Sequence, residues 1–340
     1  MTIIMIGMQD SLFVLESSNT DWNSWESLIE TNPQSIAFDP LNSGRAYCAT
    51  FGSGLWRTDD NGHTWKNVGK DVISASNVTS VAVSSLKGGK EFNKVYAGTE
   101  PSAVYTSNDG GESWERMKTL NDLPSSKLWS FPPRPWTHHV RWIEPDANNP
   151  DYVFVAIEAG ALVQSRDGGK TWIDRTEQGP YDTHKLVTHP KAPGRLYSSA
   201  GDGYYESFDY GETWTRPVEG LGHQYLFGIA VDSSNPGVVV VSASSGPSRA
   251  YVAEEAETFA YRKDTDGDRW KTVTDGLPKA RGSTIMNFAS NAKSPGEFYG
   301  VNNNGLLLST DAGSSWKKLD ALWPVKYSHQ TPWALAINET

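Results

Sequence analysis

The stretch that decides the fold is SRDGGKTW, at Ser165–Trp172, because close copies of it return along the whole chain. Four copies keep the hydroxyl residue, the aspartate, the glycine and the tryptophan: TDDNGHTW at 58–65, SNDGGESW at 107–114, SFDYGETW at 207–214 and STDAGSSW at 309–316. Two degenerate copies end at Trp25 and Trp270, and the second keeps Gly267 but has Thr265 in place of the aspartate. We call this eight-residue motif the box.

The spacing of the boxes predicts the architecture. Successive box tryptophans lie 40, 49, 58, 42, 56 and 46 residues apart, so seven units share the 340 residues. A repeat of this length is typical of propellers and solenoids. Each unit contains short runs of Val, Ile, Tyr and Trp separated by Asn-Pro, Pro-Gly and Gly-x-Gly turns, which indicate β-strands. We therefore predict an all-β, seven-bladed β-propeller of four-stranded antiparallel blades.

The box itself is predicted to be the hairpin between the third and fourth strands of each blade. Its glycine, Gly169 in the opening copy, stands where a hairpin loop needs a positive φ. Asp167, two residues earlier, can accept hydrogen bonds from the amides of the turn. The tryptophan is expected to pack at the edge of the blade. This favours a structural role for the box over a catalytic one.

The two ends of the chain are predicted to complete one blade. The C-terminal stretch TPWALAINET, at Thr331–Thr340, resembles the first strands of other units, such as SIAFD at 35–39. The N-terminal stretch IIMIGMQDSLFVLESS resembles second and third strands. We therefore expect one domain over 1–340, whose seventh blade is shared by about 1–30 and 331–340. Such closure removes exposed sheet edges.

The composition excludes some partners. A net charge of −10 disfavours nucleic acid and anionic membranes, since both attract basic surfaces. The single cysteine, Cys48, cannot form an internal disulfide, and Met1–Met8 lacks the features of a signal peptide. No apolar run is long enough to cross a membrane as a helix. These observations predict a cytoplasmic protein, and they leave its oligomeric state open.

The motif S/T-x-D-x-G-x-T/S-W resembles the Asp-box, or BNR repeat, of sialidases, sortilin-type receptors, some xyloglucanases and photosystem II assembly factors. The resemblance covers essentially the whole chain and implies the sialidase-like propeller fold. It does not extend to sialidase catalysis, which the family performs with an arginine triad, an Arg-Ile-Pro motif near the N-terminus and a tyrosine nucleophile assisted by glutamate. The nearest strings here are RPW at Arg134–Trp136 and SRAY at Ser248–Tyr251. Sialidase activity is therefore not expected.

Strand polarity predicts which face carries function. In an antiparallel meander, the lead-in segments before each first strand lie on the same face as the hairpins between second and third strands. We call this the lead-in face. Here the units differ from one another, as in SFPPRPWTHHVRW at 130–142 and GPYDTHKL at 179–186. This face is predicted to carry five of the seven histidines and four polar hairpin residues: His138, His139, His184, His223, His329, Glu100, Glu158, Asp202 and Asn303.

Three interpretations of this cluster remain open. Neutral imidazoles converging with a carboxylate can bind a divalent transition metal, with four candidate ligands: His139, His184, His223 and His329. A metal-free site can instead pair Glu158 or Glu100 with His139 or His184 for acid–base catalysis. In the third interpretation the histidines only hydrogen-bond neighbouring loops.

The same face offers residues for substrate binding. Trp136 and Tyr181 suit an aromatic wall for a ring-shaped molecule. Arg134 and Arg141 can bind a carboxylate or phosphate, although a structural ion pair is an equal alternative for Arg141. The remaining candidates for substrate contact are His138, Glu100 and Asp202. Packing between blades is the alternative role for the aromatic residues.

We therefore predict an enzyme, a hydrolase or lyase, that acts on a small polar or ring-containing molecule such as a sugar. The expected catalytic residues are His139, His184 and Glu158, assisted by one divalent transition metal in the first interpretation and by no cofactor in the second. The alternative is a non-catalytic binding or assembly module that holds a peptide or glycan on the same face.

Overall fold

The computed structural model describes residues 1–18, 21–86, 92–264, 269–319 and 323–339. These residues form seven antiparallel sheets, and the protein is an all-β seven-bladed propeller, as the repeat predicts. The degenerate box positions Thr265 and Gly267 lie outside the described residues.

We number the blades from the first complete unit. Blade 1 contains β4 (Pro33–Phe38), β5 (Ala46–Thr50), β6 (Gly54–Thr58) and β7 (Lys66–Val68). Blade 2 contains β8 (Val78–Val83), β9 (Val95–Thr99), β10 (Val104–Ser107) and β11 (Glu115–Arg116). Blade 3 contains β12 (Val140–Pro145), β13 (Val153–Ile157) and β14 (Ala161–Ser165). Blade 4 contains β15 (Thr183–Thr188), β16 (Leu196–Ala200) and β17 (Gly203–Ser207).

Blade 5 contains β18 (Tyr225–Val231), β19 (Val239–Ser244), β20 (Phe259–Lys263) and β21 (Lys271–Val273). Blade 6 contains β22 (Asn287–Ser290), β23 (Phe298–Asn302), β24 (Gly305–Ser309) and β25 (Lys317–Lys318). Blade 7 contains β26 (Ala334–Glu339), β1 (Thr2–Gly7), β2 (Leu12–Ser18) and β3 (Asp21–Ser27). Short 3₁₀ helices lie at Lys118–Asp122, Pro124–Leu128, Pro247–Arg249 and Val325–His329. Across the described ranges, no helix has the length and apolar character needed to span a membrane.

Blades 3 and 4 differ from the predicted four strands. Each has three strands, and its fourth is reduced to a single bridge, Gln164–Ile173 in blade 3 and Glu206–Thr215 in blade 4. In blade 3 the chain after the bridge turns away, because Asp174 accepts hydrogen bonds from the backbone N–H and the hydroxyl of Ser125. In blade 4 a proline, at position 217, follows the bridge and has no N–H to donate to a ladder.

Blade 7 joins the two ends of the chain. β26 pairs antiparallel with β1, in a register that runs from Thr2 opposite Glu339 to Gly7 opposite Ala334. β1 then pairs with β2, and β2 pairs with β3. The C-terminal strand thus occupies the first position of the blade, and the N-terminal segment supplies the other three strands.

The box hairpin has the predicted geometry. Gly169 has a φ of +91°, and its N–H donates to the Ser165 hydroxyl at 2.8 Å. Asp167 accepts hydrogen bonds from the Thr171 backbone N–H at 2.9 Å and from the Thr171 hydroxyl at 2.6 Å. The other four clean boxes repeat these contacts. The prediction that the box aspartates serve the turn is confirmed.

Replacing Asp167 with alanine should destabilise blade 3 without changing the lead-in face. Four hydrogen bonds to the carboxylate are lost at a partly exposed site, so we expect a cost of about 1–2 kcal/mol in the free energy of unfolding. Hydrogen bonds from Thr171 and Ser165 lower the pKa of Asp167 to about 2. A carboxyl group whose pKa is lower in the folded than in the unfolded chain stabilises the fold at any pH above its unfolded pKa. This stabilisation is lost as the pH falls through about 2. Urea unfolding of the wild type and of the Asp167→Ala variant, at neutral and acidic pH, should show that their difference in unfolding free energy shrinks in acid.

Hydrophobic clusters connect each blade to the next. Seven buried clusters among the described residues each combine side chains of two neighbouring blades, and together they run around the ring. For example, Ile3 and Met5 of blade 7 pack with Ala46 and Cys48 of blade 1. The burial of apolar area, the main stabilising contribution in folding, is thus spread over the interfaces.

Two linkers also contact the box of the following blade. The backbone N–H of Trp270 donates to the carbonyl of Glu219, and that of Trp316 donates to the carbonyl of Asp275. The glycine after each acceptor, Gly220 and Gly276, has a positive φ and lies directly against the tryptophan backbone. The box therefore fixes the linker that leads into its own blade as well as its own turn.

Candidate functional site

The lead-in face contains a cavity of about 590 Å³. Lead-in segments contribute Phe131–Arg134, Asp182 and Trp333, and hairpins between second and third strands contribute Phe51 and Glu158. Innermost strands of four blades, 1, 2, 3 and 5, and the connection between β19 and β20 contribute further lining residues. This arrangement agrees with the polarity argument from the sequence, which brings these two kinds of segment to one mouth of the propeller.

Irregular strand pairing directs several side chains toward the cavity. In blades 1–5 the register of the innermost strand shifts near its start, and the residues that fall in the shift are Gln34, Thr79, Arg141, His184 and Phe227 with Gly228. Four of these side chains line the cavity, and the fifth, His184, is buried with only 1% exposure. β-Bulges commonly redirect side chains beside functional sites.

Aromatic side chains form much of the wall. Tyr225 and Phe227 come from β18, and Tyr251 comes from the long connection between β19 and β20. The rings of Tyr251 and Trp333 pack with centroids 5.6 Å apart. Phe51 lines the cavity as well. These rings give the cavity flat apolar surfaces of the kind on which sugar rings can stack.

A row of charged groups crosses one side of the cavity. Arg134 donates two hydrogen bonds to Glu100, at 3.1 and 2.5 Å, and its guanidinium stacks on Phe131. The other side of Glu100 faces His139, whose Nδ1 lies 3.6 Å from Oε2. His139 Nε2 donates to Glu158 Oε2 at 2.7 Å. Glu100 and Arg134 are thereby mutually neutralised, and His139 links them to Glu158.

Glu158 is the centre of the charged row. Arg141 Nε lies 3.5 Å from Glu158 Oε2, and His184 Nε2 lies 3.7 Å from Oε1. Burial opposes ionisation of Glu158, but the hydrogen bond from His139 and the nearby His184 and Arg141 outweigh it and lower its pKa to about 2. Glu158 is therefore a carboxylate at neutral pH.

Asp182 lies beside Glu158 and also faces the cavity. Its Oδ1 accepts a hydrogen bond from the backbone N–H of Ala159 at 2.8 Å, and its Oδ2 lies 3.8 Å from His184 Nε2. Burial is the main reason that the pKa of Asp182 is raised, and the charge of Glu158 adds to the effect. The two carboxyl groups thus differ in their surroundings although they share one neighbour, His184.

His184 is held in a defined orientation. Its Nδ1 lies 2.5 Å from the carbonyl oxygen of Leu226, which can only accept, so Nδ1 carries a proton. Its ring packs against Tyr225 and Phe227, with centroids 5.2 and 5.1 Å away. Nε2 is buried and has no hydrogen-bond partner in the described part of the chain. Glu158, Asp182 and His184 are the one group of three or more potential ligand residues found there, with ligand atoms within 4.8 Å of one another.

The predicted four-histidine ligand set is not assembled. His223 stacks on Phe259 with a centroid distance of 4.1 Å and bonds the Tyr261 hydroxyl. His329 is 73% exposed and pairs with Glu254. His139 contacts Glu158 but contributes no atom to the three-residue ligand group. The prediction fails for a simple reason. The four histidines share one face of a wide ring, and this does not bring side chains of different blades to one point.

The predicted aromatic wall is also elsewhere. Trp136 is 80% exposed and Tyr181 is 41% exposed, and neither lines the cavity. His138 packs edge-on against Trp129, and burial lowers its pKa. Asp202 accepts hydrogen bonds from the backbone of Tyr181 and of Asp182, so it holds a lead-in segment. Among the predicted substrate-binding residues, Arg134 and Arg141 do line the cavity.

Sequence reasoning missed Asp182 and the true aromatic walls. Asp182 stands two residues before His184, a spacing that places both on one side of an extended strand, and this signal was present in GPYDTHKL. Tyr251 lies in a connection of 14 residues between β19 and β20, far longer than the other hairpins of its type. The unusual length of this connection was the signal that could have pointed to Tyr251. No local pattern distinguishes Phe51, Tyr225 or Trp333.

No protein-family model matches the chain. Xyloglucanase Xgh74A of Acetivibrio thermocellus is 25% identical over 285 residues, which cover 71% of this chain and 32% of that protein. The photosystem II assembly lipoprotein Ycf48 of Synechococcus sp. (strain CC9902) is 21% identical over 302 residues, covering 88% and 79%. The chain thus spans about a third of the xyloglucanase but most of Ycf48.

Solved structures show the same neighbours. A GH74 enzyme of Niastella koreensis superposes with a TM-score of 0.67 at 15% identity, covering 92% of this chain and 51% of that chain. Ycf48 bound to a D1 peptide superposes with a TM-score of 0.59 at 20% identity, covering 86% and 82%. These likenesses establish the class, a seven-bladed β-propeller with GH74 xyloglucanases and Ycf48 as structural neighbours.

Proposed function

We propose that this protein is a glycan-processing propeller that binds a sugar in the cavity of the lead-in face and hydrolyses a glycosidic bond there. The observation that carries the proposal is the combination, in one cavity, of aromatic walls with the carboxyl groups of Glu158 and Asp182. Glycoside hydrolysis most often depends on two carboxyl groups beside the scissile bond. The similarity to xyloglucanases supports this substrate class.

The cavity has the size and lining that a small glycan requires. Its volume of about 590 Å³ lies within the range of about 300–1,000 Å³ typical of small-ligand sites. Tyr251 and Trp333 offer ring faces, while Arg141 offers donors to hydroxyl or carboxylate oxygens. Arg141 approaches Glu158 at 3.5 Å, and its guanidinium lies over the ring of Phe227, 4.8 Å from the centroid. It also lines the cavity, so its remaining N–H groups can meet a ligand there.

Titration with xyloglucan oligosaccharides, followed by product analysis, tests the proposal. We expect saturable binding and release of shorter sugars. The Trp333→Ala variant should bind the sugar about 3- to 10-fold more weakly, the effect of losing one stacked ring. Trp136→Ala is the matched control, because Trp136 lies outside the cavity, and it should bind like the wild type. Equal binding by both variants, or no sugar bound at all, would contradict the proposal.

A second candidate function is peptide binding without catalysis. The specific observation in its favour is that the Ycf48 likeness spans most of both chains, and one such structure is described as bound to a D1 peptide. Under this alternative the cavity and its rim hold a protein segment. Binding of peptides with no turnover of any glycan in the same titrations would favour it.

A further inference from the structure

We propose that Glu158, Asp182 and His184 form a binding site for one divalent metal ion, of the class that accepts mixed carboxylate and imidazole ligands, such as Zn²⁺ or Mn²⁺. The three residues come from adjoining parts of blades 3 and 4, namely the β13–β14 hairpin, the lead-in segment and β15. One nitrogen and two carboxylate oxygens suit this class of ion.

Each carboxylate has one oxygen held by the protein and one oxygen turned toward the proposed ion. Glu158 Oε2 accepts from His139 at 2.7 Å, which leaves Oε1 facing His184 Nε2 at 3.7 Å. Asp182 Oδ1 accepts from the Ala159 N–H at 2.8 Å, which leaves Oδ2 facing the same nitrogen at 3.8 Å. Hydrogen bonds that orient the ligands in this way are characteristic of metal sites.

The nitrogen of His184 supplies the independent observation. Because Nδ1 donates to the Leu226 carbonyl, a neutral His184 presents the lone pair of Nε2 to the two carboxylate oxygens. Three acceptors then face one another at distances too long for hydrogen bonds, in a pocket where Nε2 has no partner among the described residues. A buried polar atom without a partner carries a free-energy cost, which a cation between the three atoms removes.

The site opens onto the cavity, and a neighbouring side chain orients one of its ligands. Glu158 and Asp182 line the cavity, so a ligand position of the ion would remain open toward a bound molecule, as in catalytic metal sites. His139 keeps a role here as the residue that orients Glu158. Among the ion pairs of the described residues, Arg141 is the one arginine or lysine that pairs with this group, and its Nε lies 3.5 Å from Glu158 Oε2.

The inference deepens the proposed function, and it rests on that function only for what the ion does. An ion held here would polarise a bound oxygen or water at the carboxylate end of the cavity. Glu158 and Asp182 would then act through the ion, as its ligands, and not as a free carboxyl pair.

Isothermal titration with ZnCl₂, and electron paramagnetic resonance of added Mn²⁺, test the site on the metal-stripped full chain at neutral pH. We expect one ion per chain. His184→Ala should weaken binding at least about 100-fold, while His139→Ala should weaken it about 10- to 100-fold, the usual effect of removing an orienting partner. Asp182→Asn should weaken binding as His184→Ala does, and it serves in its place if the alanine variant does not fold.

His329→Ala and His223→Ala are the matched controls, and both should bind the ion like the wild type. The inference is overturned if neither ion binds stoichiometrically, or if binding survives both His184→Ala and Asp182→Asn. Loss of binding in the control variants would overturn it equally, since it would place the ion elsewhere. Sugar hydrolysis that persists after chelation would overturn the role given to the ion in the reaction and leave the proposed function standing, whereas ion binding without any sugar turnover would overturn the proposed function and leave the ion site.

Discussion

Glu158→Gln is expected to slow glycan hydrolysis about 10²- to 10³-fold while leaving sugar binding within a few-fold of the wild type. The substitution keeps the shape of the side chain but removes the negative charge at the end of the cavity. Loss of one preorganised electrostatic contact to a transition state typically has an effect of this size. Glu158 is buried in a row of charged groups, so the charge rather than the volume is what changes.

The measurement is kcat and KM for a xyloglucan oligosaccharide, with thermal unfolding in parallel. Glu254→Gln is the control, because Glu254 lies on the same face but is exposed and pairs only with His329 among the described residues. An unchanged kcat in Glu158→Gln would remove this carboxylate from the reaction. A large loss of sugar binding in the same variant would instead assign Glu158 to recognition.

Gly276→Ala is expected to destabilise the protein by about 2–5 kcal/mol. Gly276 has a φ of +71°, and a Cβ on it would lie 1.5 Å from the carbonyl oxygen of Trp316. That atom belongs to the backbone of the next box, so it cannot move aside as a flexible side chain can. The left-handed conformation contributes about 1–2 kcal/mol and the overpacking about 1–3 kcal/mol.

Gly282→Ala separates these two contributions. Gly282 has a similar φ of +84°, but a Cβ there meets no atom within 4 Å. It should therefore cost only the conformational part. Chemical denaturation monitored by tryptophan fluorescence measures both variants. If Gly276→Ala and Gly282→Ala lowered the free energy of unfolding equally, the close contact between linker and box would contribute nothing to stability.

The fold was largely predictable because its determinants are local. The hydrogen bonds of Asp167 close within six residues, and the positive φ of Gly169 is a property of one position. Strand polarity then followed from the meander. The reduced fourth strand of blade 3 was not predictable, since Asp174 bonds a helix about 50 residues away in the chain. In blade 4 the proline at position 217 was a local signal that the strand pattern alone did not reveal.

The candidate site was predictable only in part. Glu158, His139 and His184 were predicted to share one face, and the structure brings each of the two histidines close to Glu158. Trp136 and Tyr181 were chosen for their residue type, yet exposure on the rim keeps them out of the cavity. Tyr225 and Trp333 form the aromatic wall instead, because they lie on or beside innermost strands.

The sequence by itself determined the number of blades, the turn that each box forms and the face on which the units differ, because those features depend on short-range hydrogen bonds and a repeated period. Only the tertiary structure decided which side chains meet. The start of each innermost strand in blades 1–5 carries a register shift, and the convergence of seven blades brings residues far apart in the chain, such as Phe51 and Trp333, to one cavity. Neither effect leaves a mark in any single stretch of residues.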